Sequence, residues 1–280
     1  MREASLVLAS SSLRRRAITA FSLGPLVIAA VLLLPTPGFA LFLSVVLLIA
    51  AWEWCGLSGI TRVVHRIAYS GVVAVCLAIL WLAPDWQLAL MAVSAIWWFA
   101  QAVRLMRTRE VSVVVEPRPW QLLVGLLVLL APWAALMSLH RMPAIGPGLV
   151  LFLLVLIWTA DSLAYFVGKR WGRAKLAPAV SPGKTRVGVY GALAGAGLCG
   201  LLFSWVLSLD LPHTLLALMV CGVAALISVV GDLYESLLKR QRNLKDSSQL
   251  LPGHGGLLDR IDSLTAAAPV FALGMAWALT

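Results

Sequence analysis

The chain has 280 residues, of which 61% are hydrophobic and only 12% charged. A soluble domain carries about 25% charged residues, so this composition excludes an ordinary water-soluble globule and points to a helical membrane protein. The net charge of +10 would suggest nucleic acid in a soluble protein; here it is read as loop charge that orients membrane spans, with no nucleic-acid partner.

Nine apolar spans are predicted in chain order, near 17–34, 39–58, 67–83, 86–103, 120–138, 147–167, 187–207, 213–231 and 263–280. The expected fold is therefore all-α and polytopic. The basic residues test the count. When loops are assigned alternately to two sides, every lysine and arginine except Arg141 falls on one side. An error of one span would scramble that pattern. The positive-inside rule then puts the N-terminus in the cytoplasm and the C-terminus outside. Arg14, Arg15 and Arg16 precede the first span, as they would in a signal peptide, but its apolar stretch is long for one, and we read it as a retained anchor. Trp81, Trp86, Trp120, Trp133 and Trp171 stand near span ends, where an aromatic belt would put them. Cys55, Cys76, Cys199 and Cys221 lie in apolar runs with no Cys-x-x-Cys pair, and read as small buried hydrophobes. We divide the chain into residues 1–146, a transmembrane scaffold with a role in oligomerisation, and 147–280, which carries the site.

Glu53, in AWEWCG, lies near the end of the second span. It reads either as a functional intramembrane acid or as one that reaches the interface. Asp161, in WTADSLAY, follows the apolar run LVLFLLVLIW and needs a polar cavity, a cation or a basic partner. SPGKT, residues 181–185, ends like a P-loop, but Pro178 stands at the first glycine position and no strand is predicted before it. A Ser-Pro-Gly turn with Lys184 suits either a phosphate group or anionic headgroups.

The stretch 231–262 is different. It holds ten charged residues and five of the chain's twelve acids: Asp232, Glu235, Asp246, Asp259 and Asp262. Topology needs no acids in a loop. On a helix, Asp232, Ser236 and Lys239 share one face, and Asp259 and Asp262 are three apart where the last helix should begin. Gly253-His254-Gly255-Gly256 lets backbone approach a ligand closely. Hard oxygen ligands beside lysines suit Mg²⁺ with a polyphosphate. Zinc is disfavoured, since cysteine is absent there and His254 is the sole nearby histidine.

SLLKR at 236–240, Lys245-Asp246 and LPGHGGLLDRID at 251–262 resemble the signature of the phosphatidate cytidylyltransferases, or CDP-diacylglycerol synthases. WTADSLAYFVGKRWGRAKLAPAVSPGKT and GDLYES extend the likeness over about residues 150–270. The resemblance implies an enzyme that condenses CTP with phosphatidic acid, releasing diphosphate and giving CDP-diacylglycerol. It implies Mg²⁺ with a second, monovalent cation such as K⁺, a homodimer, and a multi-pass protein of the inner membrane whose site faces the cytoplasm. Carried onto this chain, it makes Asp232, Asp259 and Asp262 metal ligands, with Asp161 a further ligand or charge relay. Ser236, Lys239 and Lys245 would contact phosphates, Ser181 and Lys184 would close over an anion, and His254 and Arg260 would orient the nucleotide or diphosphate. Arg186 and Val187 stand where relatives carry Trp followed by Glu or Gln, and Leu163 where a Gly is common. Two other readings compete: a cytidylyltransferase for another membrane lipid phosphate, and a transporter on the same fold. The latter fits poorly, since the charges lie at one face and no repeat shows.

The topology has a direct test. With the native cysteines replaced, a cysteine at Arg141 should react with a membrane-impermeant maleimide in intact cells, and one at Arg109 only after permeabilisation.

Overall fold

The structure is a computed structural model that describes residues 23–251 and 253–279. A short apolar helix, α1 (Leu23–Leu33), leads into eight helices long and apolar enough to cross a membrane. These are α2 (Thr36–Leu57), α3 (Val63–Leu82), α4 (Asp85–Arg107), α5 (Trp120–His140), α6 (Gly146–Trp171), α7 (Arg186–Val206), α8 (Leu211–Gln241) and α9 (Leu258–Ala278). Between α6 and α7 lie strands β1 (Lys175–Ala177) and β2 (Ser181–Thr185). The all-α, polytopic expectation is met, with this hairpin as an addition. α1 lies within the first expected span, 17–34; residues 17–22 and the Arg14–Arg16 cluster fall outside the described residues.

Helix starts follow local chemistry. Prolines occupy the first turns of α2, α6 and α8, where a missing N–H costs nothing. The Thr185 side chain accepts from Gly188 N at the start of α7, and Asp210 accepts from His213 N at the start of α8. Two expected spans were too short at one end. The predicted 213–231 is a helix running on to Gln241, and the predicted 263–280 begins at Leu258. Hydropathy detects only the apolar part of a helix, and here both polar ends stay helical and carry the acids and Lys239.

α5 is the central helix. It is the most buried of the eight and packs on α2, α4 and α9. Gly125 marks its tightest contact, because a Cβ there would run into the Trp54 indole and the Tyr69 hydroxyl. Those groups donate to the carbonyls of Gln121 (2.8 Å) and Leu122 (3.0 Å), which ties α2 and α3 to the first turn of α5. Trp133 departs from the belt reading. It is buried within the bundle, with its indole N–H 3.1 Å from Ser44 Oγ, whereas Trp86, Trp120 and Trp171 are exposed.

At the end of α8, Arg242 gathers five carbonyls: Leu57 (2.9 Å), Ser58 (2.7 Å), Val114 (2.8 Å), Val115 (3.2 Å) and Glu116 (2.8 Å). The first two end α2, where the helix dipole favours a cation. The last three lie in the α4–α5 connection, which is thereby strapped across the end of α8.

SPGKT is not the expected turn. Ser181 to Thr185 form β2, antiparallel to β1, with Lys175 opposite Thr185 and Ala177 opposite Ser181. Pro182 is tolerated because each strand of a two-stranded sheet is an edge. α8 and α9 make the most extensive helix pair. They meet at Gly231, where a Cβ would collide with the Asp262 carbonyl and sit 2.9 Å from Ala266 Cβ. Gly231→Ala is therefore expected to destabilise the protein by about 1–3 kcal/mol through overpacking. Gly71→Ala, with nothing within 4 Å of the new methyl, should not. Thermal unfolding in detergent compares the two.

Candidate active site

The helical phase of α8 puts Asp232, Glu235, Ser236 and Lys239 towards one flank, and the close approach at Gly231 lays that flank against the first turns of α9. The side chains sort into two groups that differ in exposure.

The inner group is buried. The Lys239 ammonium lies 2.6 Å from Asp259 Oδ1 and 3.2 Å from Glu235 Oε1. The side chains of Lys239, Glu235 and Asp259 are only 11%, 4% and 5% exposed. Asp259 Oδ2 accepts three more bonds, from Ser247 N (2.9 Å), Ser247 Oγ (3.0 Å) and Gly256 N (2.8 Å). One carboxylate thus closes the whole α8–α9 connection onto the helices. The glycines allow it. Gly253 and Gly255 have φ of +78° and +82°, and a Cβ on Gly256 would press into Ser247 Oγ and both carboxylate oxygens of Glu53. Glu53 comes from α2, in the other half of the chain. It is buried and accepts from Ser247 Oγ (3.1 Å), Ser248 Oγ (2.6 Å), Leu257 N (3.0 Å) and Leu258 N (2.7 Å).

The outer group is open. Lys184 reaches from β2 to Asp232 Oδ2 at 2.7 Å, with side chains 23% and 33% exposed, and stands 3.5 Å from the Val229 carbonyl. Ser236 Oγ donates to Asp232 Oδ1 at 3.2 Å. Asp161, on α6, and Asp262, on α9, both feel the charges of Asp232 and Lys184. Ser263 joins them, its N–H donating to Asp262 Oδ1 (2.6 Å) and its hydroxyl to Asp161 Oδ2 (3.4 Å). Lys184 thus acts on three carboxylates and is in ion-pair contact with one of them, Asp232. No three His, Cys, Asp or Glu side chains stand at metal-holding distance among the described residues. The chemistry of the outer set nonetheless fits a divalent cation, because hard oxygens with excess negative charge at helix depth call for one. Asp259 does not belong to that set; both its oxygens are already engaged by donors.

Ser181, Lys245, His254 and Arg260 join neither group by a hydrogen bond or ion pair among the described residues. Ser181 pairs through its backbone in the hairpin, and Lys245 is exposed on the α8–α9 connection. Arg260 is exposed and donates to the His254 carbonyl at 2.8 Å, while His254 Nδ1 is buried with no hydrogen-bond partner among the described residues. The residues that sequence reasoning left without a role are Glu53, Glu235, Ser247, Ser248 and Ser263. For Glu53 the signal was present, an acid in an apolar helix. The serines gave none, because their importance comes only from the carboxylates that the fold brings to them.

The cytidylyltransferase family model matches residues 14–277. The chain belongs to the cytidylyltransferase family. It is similar to the phosphatidate cytidylyltransferase of Pseudomonas aeruginosa, 44% identical over 95% of this chain and 97% of that protein. It is also similar to the enzyme of that name from Haemophilus influenzae, 35% identical over 92% of this chain and 97% of the relative. For this cytidylyltransferase, Lys239→Met would leave two buried carboxylates without their cation. The expected cost is about 3–5 kcal/mol, partly recovered by adding Glu235→Gln. Unfolding of the single and double variants in detergent measures both.

Proposed function

We propose that the protein catalyses the reaction of CTP with phosphatidate to give CDP-diacylglycerol and diphosphate, at the cytoplasmic face of the inner membrane. The observation that carries the reading is the outer group, a solvent-accessible lysine and three carboxylates on four different elements of a membrane protein of this family. Asp161 and Asp232 lie ten and nine residues short of the ends of α6 and α8, roughly 14 Å by helical rise. That depth suits a lipid phosphate held in the leaflet and a nucleotide entering from water.

In the reaction a phosphatidate oxygen attacks the α-phosphorus of CTP. The new P–O bond forms as the bond to the bridging oxygen of the β-phosphate breaks, and diphosphate leaves with the electron pair. Phosphatidate is already an anionic nucleophile, so no general base is required. The barrier is set by bringing anions together and by charge building on the leaving group. Lys184, on its hairpin, is placed to hold an oxyanion when it releases Asp232. The Ser236 hydroxyl, one helical turn away, can donate to the same phosphates. Asp161, Asp232 and Asp262 would hold Mg²⁺, which when bound neutralises phosphate charge, with a monovalent cation beside it. Asp259 and Lys239 serve instead to fix the first turn of α9 against α8. His254 and Arg260 stand on the connection that the nucleotide would meet from the aqueous side, with Lys245 exposed nearby. A homodimer formed through residues 1–146 is part of this reading.

Diphosphate release by the purified protein is expected only when CTP, phosphatidate and Mg²⁺ are all present. Release without phosphatidate, or with another lipid phosphate alone, would overturn the assignment. Asp232→Asn should lower kcat by about 10²–10³-fold, the scale for a lost charge-stabilising group, without preventing folding.

A further inference from the structure

We infer that Glu53 is a positioning residue for the transferase site, acting from α2 through the start of α9; the inference rests on the function proposed above.

A buried carboxylate without a cation is costly unless its lone pairs are all used. Glu53 is 3% exposed and has no ion-pair partner among the described residues. Its oxygens instead accept the Leu257 and Leu258 N–H groups and the Ser248 hydroxyl, and share the single proton of the Ser247 hydroxyl with Asp259, at 2.6 to 3.1 Å. The two N–H groups, from Leu257 and Leu258, are orphan donors at the start of α9, and Leu257 offers no capping side chain. Glu53 thus caps α9 from a different helix and places a negative charge at its positive end. Nothing local substitutes for it.

Two routes run from this cap, one to the inner group and one to the outer group. The Ser247 hydroxyl lies between Glu53 Oε2 (3.1 Å) and Asp259 Oδ2 (3.0 Å), so the two carboxylates grip one residue from opposite sides. Asp259 in turn fixes Lys239. The first turns of α9 also carry Asp262, whose carboxylate belongs to the outer group. Glu53 touches no outer-group residue by hydrogen bond or ion pair among the described residues. Its effect on turnover is therefore one of placement.

Glu53→Gln keeps the shape but turns an NH₂ towards a serine hydroxyl and a backbone N–H, and the backbone donor cannot turn away. Amide exchange at Leu257 and Leu258, read by mass spectrometry on the full-length protein in nanodiscs, should quicken by about tenfold or more, the scale of a lost bond to a charged group. Exchange in α3 should stay as in the wild type. Well below the thermal midpoint, kcat/KM for CTP per folded molecule should fall about 100-fold, the scale of a misplacement near 1 Å. Ser248→Ala, which removes one of the bonds to Glu53 together with the bond that the hydroxyl accepts from Leu250 N, and leaves Asp259 untouched, should show the same two changes at smaller size and serves if Glu53→Gln does not fold. A purely structural Glu53 would lower the midpoint and leave kcat/KM per folded molecule unchanged, and that result overturns the proposal. So does unchanged exchange at Leu257 and Leu258. If the wild type itself releases no diphosphate from CTP and phosphatidate, the proposed reaction fails, and the exchange result still decides whether Glu53 caps α9.

Discussion

The Lys239 ammonium sits between Glu235 and Asp259 in a region closed to water. Each ion gives up several kcal/mol of hydration there, and mutual attraction repays this only when the remaining polar atoms are bonded. Asp259 meets that condition through Ser247 and Gly256. To reach them, the chain after α8 must fold back on itself, with Gly253 and Gly255 in the left-handed region. The shape of the connection follows from satisfying one carboxylate. So does the setting of α9 against α8, since Lys239 and Asp259 belong to those two helices.

The outer group works under the opposite condition. Lys184 and Asp232 stay partly accessible, and Lys184 approaches on a hairpin instead of a membrane helix. Thr185 anchors that hairpin by capping α7, and its hydroxyl and methyl fill the space beside Gly168 and Gly172 at the end of α6. A rigid buried pair thus stands beside an accessible pair that ligands can rearrange. In the proposed function, that division separates the residues that hold the site together from those that would exchange partners with phosphate.

Sequence patterns carried the helical class and pointed to the candidate site. Apolar runs reported the spans, and the acids of 231–262 stood out because topology did not need them. The division of labour among those acids was hidden. Asp232 and Asp259 look alike in sequence, and only the neighbours brought by folding make one an accessible carboxylate and the other a saturated strut. SPGKT read as a turn because Pro and Gly dominate it, yet pairing with Lys175–Ala177 makes it a strand. Trp133 looked like a span-end residue, although the bundle buries it. Arg186 and Val187, the departures from relatives, open α7, with Arg186 exposed.

The bonds between Glu53 and the α8–α9 connection join residues 194 to 205 apart in the chain. At about 5–20 residues per second, α2 has been synthesised for roughly 10–40 s before Leu257 and Leu258 exist. Throughout that interval Glu53 must find water or a temporary donor at the membrane edge. α9 therefore completes the environment of an acid carried by α2, a helix made well before it. A chain stopped short of α9 leaves that carboxylate without its two backbone donors.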